Sequence, residues 1–322
     1  MRPVRPVRPV RPGGPEGDSD GGHVMIWVTW RQHRAQAVAC LVLFAVLAAL
    51  AMGFGIQIRT AFRSDGLPGC LASSGGAGCA AALTSFVDRF ARGASSTIIG
   101  VPLTAIPGLL GVAVGAPLLG RELERGTWRL AWSQTVPRTR WLVTKLGLVT
   151  GGLVVFGAAV SAVIAWYHEP LDRVTSRVQP GPFTGGGLTF TASLLCAFGL
   201  AVLAGLLLRN TIAAMVAGYV AWEIPTTVAL LLGGPIRIPA PAVMRIGCAA
   251  GCPGATAASV PPVTGHLGDY VLSVTRSGGE LVVTYLPASR FWTEQLIQGG
   301  LYLAVAVITL GAATWLLRRR TT

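Results

Sequence analysis

One polar stretch decides how this chain is organised: Gly120-Arg121-Glu122-Leu123-Glu124-Arg125-Gly126-Thr127-Trp128-Arg129-Leu130. It continues through Pro137 to Lys145, and eight charged side chains lie between residues 121 and 145. Uncharged runs, at roughly 98–119 and 146–166, precede and follow it. Because so many charges cannot lie in lipid, the stretch must lie at a membrane surface between two spans. Its Glu and Arg spacing predicts a short charged helix, which is a natural contact for a soluble partner.

The composition is that of a membrane protein. Hydrophobic residues make up 52% of the chain and charged residues only 12%, against about 25% charged in an average soluble domain. The net charge of +13 would point to nucleic acid in a soluble protein. Here the Arg residues flank apolar segments, and no interleaved aromatic residues offer stacking for bases. We therefore expect anchoring at anionic lipid headgroups and no nucleic-acid binding.

Six apolar windows are long enough to cross the hydrocarbon core as helices, which takes about 20 residues. The predicted spans are Ala37–Ile56, Ile98–Leu119, Leu146–Trp166, Leu188–Leu208, Ile212–Leu232 and Leu296–Leu317. Arg209 and Asn210 separate the fourth span from the fifth, which predicts a tight helical hairpin. The Gly and Ala content of the spans suits close helix contact in lipid. We therefore expect an all-α membrane protein with six transmembrane helices.

The first 24 residues form a separate region. Arg2-Pro3-Val4 repeats three times before a Gly- and Asp-rich stretch. Such low complexity cannot bury a core, and no apolar run marks a signal peptide, so residues 1–24 are predicted to be a disordered basic tail. The tail either lies on the anionic inner leaflet or is a plain extension. Translation starts at Met1 or at Met25, where the membrane domain 25–322 begins.

Residues 25–36 combine aromatic and polar side chains. Trp27 and Trp30 suit headgroup depth, and the polar run Arg31-Gln32-His33-Arg34 follows them. The pattern predicts an N-terminal interfacial helix that leads into the first span. The alternative is that these residues simply flank that span.

Arg and Lys counts predict the orientation. With an even number of spans, both termini share a side. That side carries 16 Arg and Lys residues and includes the stretch 121–145, whereas the other side carries 10, mostly in longer loops where charge matters less. We expect a multi-pass protein of the plasma membrane with both termini cytoplasmic and the charged stretch at the cytoplasmic surface.

The cysteines give an independent indication of sidedness. Two fall inside spans, and the other four share predicted outer loops: Cys70 with Cys79, and Cys248 with Cys252. Disulfides persist outside the reducing cytosol, so these four are disulfide candidates on the outer side. Neither pair has the four donors that a tetrahedral zinc site needs, so we expect no metal.

The loop 234–295 is the one sizeable predicted segment outside the membrane. Apolar and polar side chains alternate in residues 270–275 and 280–285. The residues between these segments, Arg276-Ser277-Gly278-Gly279, are typical of a turn. This pattern predicts a β-hairpin. The Pro- and Gly-rich part at 233–262 is expected to be irregular. Because an isolated hairpin is marginal in water, it must pack on the rest of the loop or on a partner chain.

The sequence offers no pattern for catalysis. The four His residues are scattered, and Gly151-Gly152 is not followed by the Lys and Ser of a P-loop. We therefore expect no catalytic residues and no cofactor. Glu223 is the one ionisable residue well inside a span. It is either a functional group of a translocation path or a hydrogen-bonded carboxyl between packed helices next to Pro225.

Several motifs together resemble the permease subunits of actinobacterial ABC-2 type exporters, over residues 25 to 320. The motifs are Trp30-Arg31-Gln32-His33-Arg34, Gly120-Arg121-Glu122-Leu123-Glu124-Arg125-Gly126-Thr127, Trp132-Ser133-Gln134, Arg138-Thr139-Arg140-Trp141 and Pro287-Ala288-Ser289-Arg290-Phe291-Trp292 with Gln295. The resemblance implies six spans, a cytoplasmic coupling helix between spans two and three, and a separate ABC ATPase subunit. It also implies a second permease chain, in a homodimer or a heterodimer. The implied coupling residues are Arg121, Glu122, Glu124, Arg125, Gly126 and Thr127.

Two hypotheses compete with an export permease. A membrane-anchored scaffold or sensor would act through the outer loop, which would have to be a folded binding module. A membrane-embedded enzyme would need paired catalytic groups, and the sequence offers none. Co-purification of an ATPase that depends on residues 121–141 would distinguish the permease from both.

Overall fold

A computed structural model describes residues 17–72, 77–124, 138–178, 183–231, 241–247, 269–277 and 280–319. Eight α-helices and three β-strands lie in these ranges. The helices are α1 (Gly17–Ser64), α2 (Leu67–Ala72), α3 (Ala77–Phe86), α4 (Ala94–Glu124), α5 (Arg138–His168), α6 (Gly187–Leu208), α7 (Thr211–Leu231) and α8 (Phe291–Arg319). The strands are β1 (Ala242–Gly247), β2 (Tyr270–Ser277) and β3 (Glu280–Leu286).

The long helices coincide with the predicted spans. Within the described residues, α1, α4, α5, α6 and α8 are each long and apolar enough to cross a membrane. In α7 the apolar part with described side chains is shorter, Thr211–Ile224. The all-α membrane fold is therefore confirmed, whereas the count of six spans stays a prediction.

Helix α1 is much longer than one span. Its 48 residues correspond to about 72 Å at 1.5 Å per residue, roughly twice the thickness of the hydrocarbon core. The segment 25–36 is continuous with the first span rather than a separate interfacial helix. The helix begins at Gly17, so its first residues fall inside the region assigned to the tail; residues 1–16 lie outside the described residues.

Helix α6 lies at the centre of the bundle. It packs against α4, α5, α7 and α8, and most of its side chains are buried. Glycines on α4 allow the close approach: a Cβ on Gly111 would lie 2.7 Å from the Ala197 Cβ, and one on Gly115 would lie 2.6 Å from the Phe198 carbonyl oxygen. Helix association in lipid relies on such small residues, because apolar contact alone gives no preference over lipid tails.

The strands form one antiparallel sheet in the order β1-β3-β2. The predicted hairpin is confirmed as β2 and β3, with a register shift between Val271 and Ser273. The expectation that residues 233–262 are irregular is wrong for 242–247, because this segment pairs along β3 as a third strand. A third strand gives the hairpin the additional pairing that it needs for stability in water.

The two ends of the bundle differ in what they carry. One end, called here the sheet end, holds the start of α6, the start of α8 and the sheet. The other, called here the segment end, is where α4 ends at Glu124, α5 begins at Arg138 and α6 turns into α7. Residues 125–137, which connect α4 to α5 in the sequence and include Arg125 and Arg129, lie outside the described residues.

Candidate functional site

The last residue of α4 holds the first residue of α7. The Glu124 carboxylate accepts a hydrogen bond from the Thr211 hydroxyl at 3.0 Å and a second from the Thr211 backbone N–H at 3.3 Å. Thr211 is buried, whereas Glu124 is exposed. A helix start leaves backbone N–H groups without a partner and carries partial positive charge, so a carboxylate is favoured there. Glu124 therefore caps α7 from another helix.

Helix α7 also has a local cap. Arg209 ends α6 in the left-handed region at φ 52°, which is uncommon for a residue other than glycine. Asn210 follows it, and its side-chain oxygen accepts a hydrogen bond from the Ala213 N–H at 2.9 Å. Asn is among the best N-cap residues. The predicted tight hairpin between α6 and α7 is confirmed.

The other flank of the charged stretch is also anchored. Lys145, in α5, is only 3% exposed, and its ammonium group donates a hydrogen bond to the Leu118 carbonyl near the end of α4 at 3.3 Å. A cation is favoured beside the C-terminal end of a helix, and a buried one must be compensated by such contacts. Helices α4 and α5 are therefore joined at the point where each meets the charged stretch.

The structure locates only some of the coupling residues expected from the sequence. Arg121 is exposed in the last turn of α4. Glu122 lies in the same turn, but its side chain is not among those described. Arg125, Gly126 and Thr127 lie outside the described residues. Sequence reasoning assigned Glu124 to a partner protein, whereas here it binds its own chain.

Glu223 lies half-buried in α7, inside the bundle's apolar zone. The Tyr219 hydroxyl, one turn earlier, donates a hydrogen bond to it at 3.2 Å. The neighbouring Trp222 is buried, and its indole N–H donates to the Ser193 hydroxyl of α6 at 2.9 Å. Glu223 is thus a hydrogen-bonded carboxyl in a helix, as one of the two interpretations requires, and its place in a path stays a prediction.

At the sheet end, Gln295 of α8 caps α6 from outside. Its side-chain oxygen accepts hydrogen bonds from the Thr189 N–H at 2.9 Å and the Thr189 hydroxyl at 2.7 Å, and its amide donates to the Phe183 carbonyl at 2.9 Å. Gln295 is fully buried. Gly187 adopts φ +65°, and a Cβ there would lie 3.0 Å from the Gln295 oxygen. Sequence reasoning noted Gln295 only as part of a family motif.

Ion pairs join α1, α5 and the following turn at the sheet end. The Arg59 guanidinium lies 3.9 Å from the centre of the Trp166 ring and 3.4 Å from the Glu169 carboxylate. Glu169 also pairs with Arg173. Together these contacts fasten α1 to the end of α5 at the surface of the bundle.

Asp172 forms a separate pair with Arg177 at 2.9 Å. Burial raises the pKa of the Asp172 carboxyl from its usual range to about 6, although the Arg177 guanidinium opposes the shift. Burial therefore makes the charged form of this carboxyl less favourable than it is in a solvated aspartate.

Cys70 and Cys79 lie close together, with their Cα atoms 5.5 Å apart and their sulfurs joined as a disulfide. This separation is typical of disulfides. Cys248 and Cys252 lie outside the described residues. Cys40 and Cys196, in α1 and α6, are free cysteines.

A comparison with known protein families shows which family the chain belongs to. Residues 41–232 match the family described as ABC-2 membrane transporter related. The chain belongs to this family. No curated protein and no solved structure matches it. The matched range covers more than half of the sequence and includes the contacts of Glu124 and Lys145, while the sheet and α8 lie beyond it.

Family membership confirms the resemblance to ABC-2 type permeases. The chain is a membrane protein with a permease-type role in transport, in a family that works with an ATPase and is generally not itself catalytic. The residues that fasten the charged stretch to the bundle are then candidates for transmitting movement into the spans.

Proposed function

We propose that the chain is the permease subunit of an ABC exporter in the plasma membrane, with six spans and both termini cytoplasmic. Its charged stretch docks on a separate ATPase subunit, and two permease chains enclose one path. The candidate docking residues are Arg121, Glu122, Glu124 and Arg125, with the turn at Gly126 and Thr127. A permease without a nucleotide site needs such a contact, because only differential binding to the states of the ATPase can bias the spans.

The observation that carries this proposal is the anchoring of the charged stretch at both flanks. Glu124 ties its start to the first residue of α7, and Lys145 ties α5 to the end of α4. A displacement of the stretch by the ATPase would therefore act on three helices at once. Small shifts at such a point are amplified because packed helices switch between discrete arrangements.

Helix α7 connects this point with the membrane interior. Thr211 and Glu223 are twelve residues apart on the same helix, a rise of about 18 Å. A tilt of α7 imposed at Thr211 would reorient Glu223 deep in the apolar zone. Coupling and translocation would thus share one rigid element.

Charge reversal at Glu122 tests docking. The full chain is purified from its native membrane in mild detergent, and co-purifying ATP hydrolysis is measured. We expect Glu122→Lys to lower this activity about tenfold, which corresponds to about 1.4 kcal/mol of lost binding, because a like-charge contact at an interface is unfavourable. Glu124 is unsuitable for this test, since it also holds α7.

Glu280→Lys is the matched control. It makes the same change at an exposed carboxylate on β3, at the sheet end. We expect it to retain the ATPase. Equal retention by Glu122→Lys and Glu280→Lys would contradict docking through the charged stretch.

A further inference from the structure

The packing of α7 and α8 on the central helix implies a groove between these two helices. Both helices pack extensively on α6 but make little direct contact with each other. Four partly buried residues from the three helices pack against one buried cluster: Leu200 and Ala204 of α6, Tyr219 of α7 and Tyr302 of α8. The groove therefore has an aliphatic floor and an aromatic residue on each wall.

One wall also carries the Glu223 carboxylate. Glu223 accepts a hydrogen bond from Tyr219 at 3.2 Å, and Tyr302 packs against the same buried cluster as Tyr219. The Tyr219 and Trp222 rings are 5.6 Å apart. A half-buried carboxylate is thus placed among aromatic rings that come from two helices.

The three helices that surround this carboxylate, α6, α7 and α8, offer it no counter-charge in their apolar parts. Helices α6 and α7 contain no Arg, Lys or His, and the only basic residues of α8 are Arg318 and Arg319 at its far end. An ionised carboxylate at this depth costs several kcal/mol unless something compensates it. A second identical chain would present another carboxylate at the same position, which would repel the first.

We propose that this groove binds organic cations with apolar substituents, and that such cations are the class of compound the permease transports. The transport part rests on the function proposed above, whereas the binding part does not. The carboxylate supplies the opposite charge, the faces of the Tyr219 and Tyr302 rings attract a desolvated cation, and the aliphatic floor accommodates the substituents. An anion of the same shape is excluded by the same carboxylate.

Two ions of the same shape and opposite charge test this inference. The full-length chain is placed in phosphatidylcholine nanodiscs, and equilibrium binding of tetraphenylphosphonium and of tetraphenylborate is measured against empty nanodiscs. We expect saturable binding of the phosphonium only. Binding of the borate with equal affinity, or no phosphonium binding above empty nanodiscs, would overturn the proposal.

Substitutions locate the site. We expect Glu223→Gln to weaken phosphonium binding at least tenfold, Tyr302→Leu to weaken it severalfold, and Tyr302→Phe, which keeps the ring, to change it little. Glu280→Gln, an equally conservative change outside the membrane, is the control. Wild-type affinity for the phosphonium in both Glu223→Gln and Tyr302→Leu would overturn the assignment of the groove as the binding site. If Glu223→Gln fails to fold, Tyr302→Leu alone tests the site.

The assay separates this inference from the proposed function, because binding requires no ATPase. Loss of phosphonium binding in Glu223→Gln would support the groove even if Glu122→Lys retained its ATPase. Conversely, if the chain recruits the ATPase but binds no phosphonium, the proposed permease function stands and the proposed substrate class is wrong. If Glu223→Gln alters dimerisation and leaves phosphonium affinity unchanged, the groove is an interface between chains and the proposal is wrong.

Discussion

Two helices of the central bundle begin with a cap that another helix supplies, and the two caps differ in kind. At the sheet end, the neutral Gln295 makes three hydrogen bonds while fully buried. At the segment end, the charged Glu124 makes two hydrogen bonds to Thr211 from an exposed position. The buried cap cannot open without stranding polar groups, whereas the exposed one can exchange its bonds with water.

The difference indicates which of the two caps can open. The start of α6 depends on Gln295, and ion pairs and a disulfide reinforce the same end. The start of α7 retains its local Asn210 cap if Glu124 leaves. The Gln295 cap at the sheet end is therefore a fixed joint, whereas the Glu124 cap at the segment end can be released beside the charged stretch.

Removal of the buried Gln295 cap is expected to have the largest effect on stability. We expect Gln295→Leu to lower stability by about 2–4 kcal/mol, because it leaves the Thr189 N–H and the Phe183 carbonyl buried without their partner. The measurement is the fraction of chain that stays monodisperse in detergent after heating. Gln298→Leu, one turn along the same helix and only half-buried, is the control. Equal thermal loss in both variants would contradict a specific cap.

The disulfide provides the next largest effect. Closing a loop of this size stabilises a chain by about 2–3 kcal/mol in the chain-entropy model, so Cys70→Ser with Cys79→Ser should lower the melting temperature by a corresponding amount. A membrane-impermeant maleimide applied to intact cells should label neither thiol in the wild type until a reductant is added. Ready labelling without reductant would show that the bridge is absent.

Asp172 provides a smaller, pH-dependent effect. Its folded-state pKa of about 6 exceeds the unfolded value of 3.8, so the folded chain binds the extra proton between these values and loses stability as pH rises from about 4 to about 6. Since one pKa unit corresponds to about 1.4 kcal/mol and the partner Arg177 is partly solvated, we expect a loss on the order of 1–2 kcal/mol.

The check is the difference between wild type and Asp172→Asn across that pH range. The Asn variant has no carboxyl to titrate, so its unfolding midpoint should fall less steeply. Parallel curves for the two proteins would contradict the assigned burial of Asp172.

Local patterns predicted much of this fold from the sequence. Uncharged runs predicted the long helices, and Arg209 with Asn210 predicted the α6–α7 turn. The alternation of apolar and polar residues on either side of Gly278-Gly279 predicted the hairpin β2–β3. Each of these signals lies within one contiguous segment, where period and turn chemistry act directly. Strand β1 was missed because its short segment becomes a strand only by pairing with β3.

The caps were missed for a different reason. Glu124 and Thr211 lie 87 positions apart, and Gln295 and Thr189 lie 106 apart. No periodicity relates such pairs. A Glu among other charged residues is expected to be solvated. Its contact with Thr211 therefore becomes apparent only when the packing of α4 and α7 is known.

The central claim is that the Glu124–Thr211 contact couples the charged stretch to α7, and a double-mutant cycle on transport tests it most directly. Glu124→Ala, Thr211→Val and the double variant are compared for ATP-driven transport in membrane vesicles, with Asn210→Ala as a control that costs about 1 kcal/mol of helix capping and leaves the contact intact. We expect each single change to slow transport about tenfold, the double change to slow it no further, and Asn210→Ala to transport normally. Wild-type rates in the single variants, or losses that multiply in the double variant, would contradict the account.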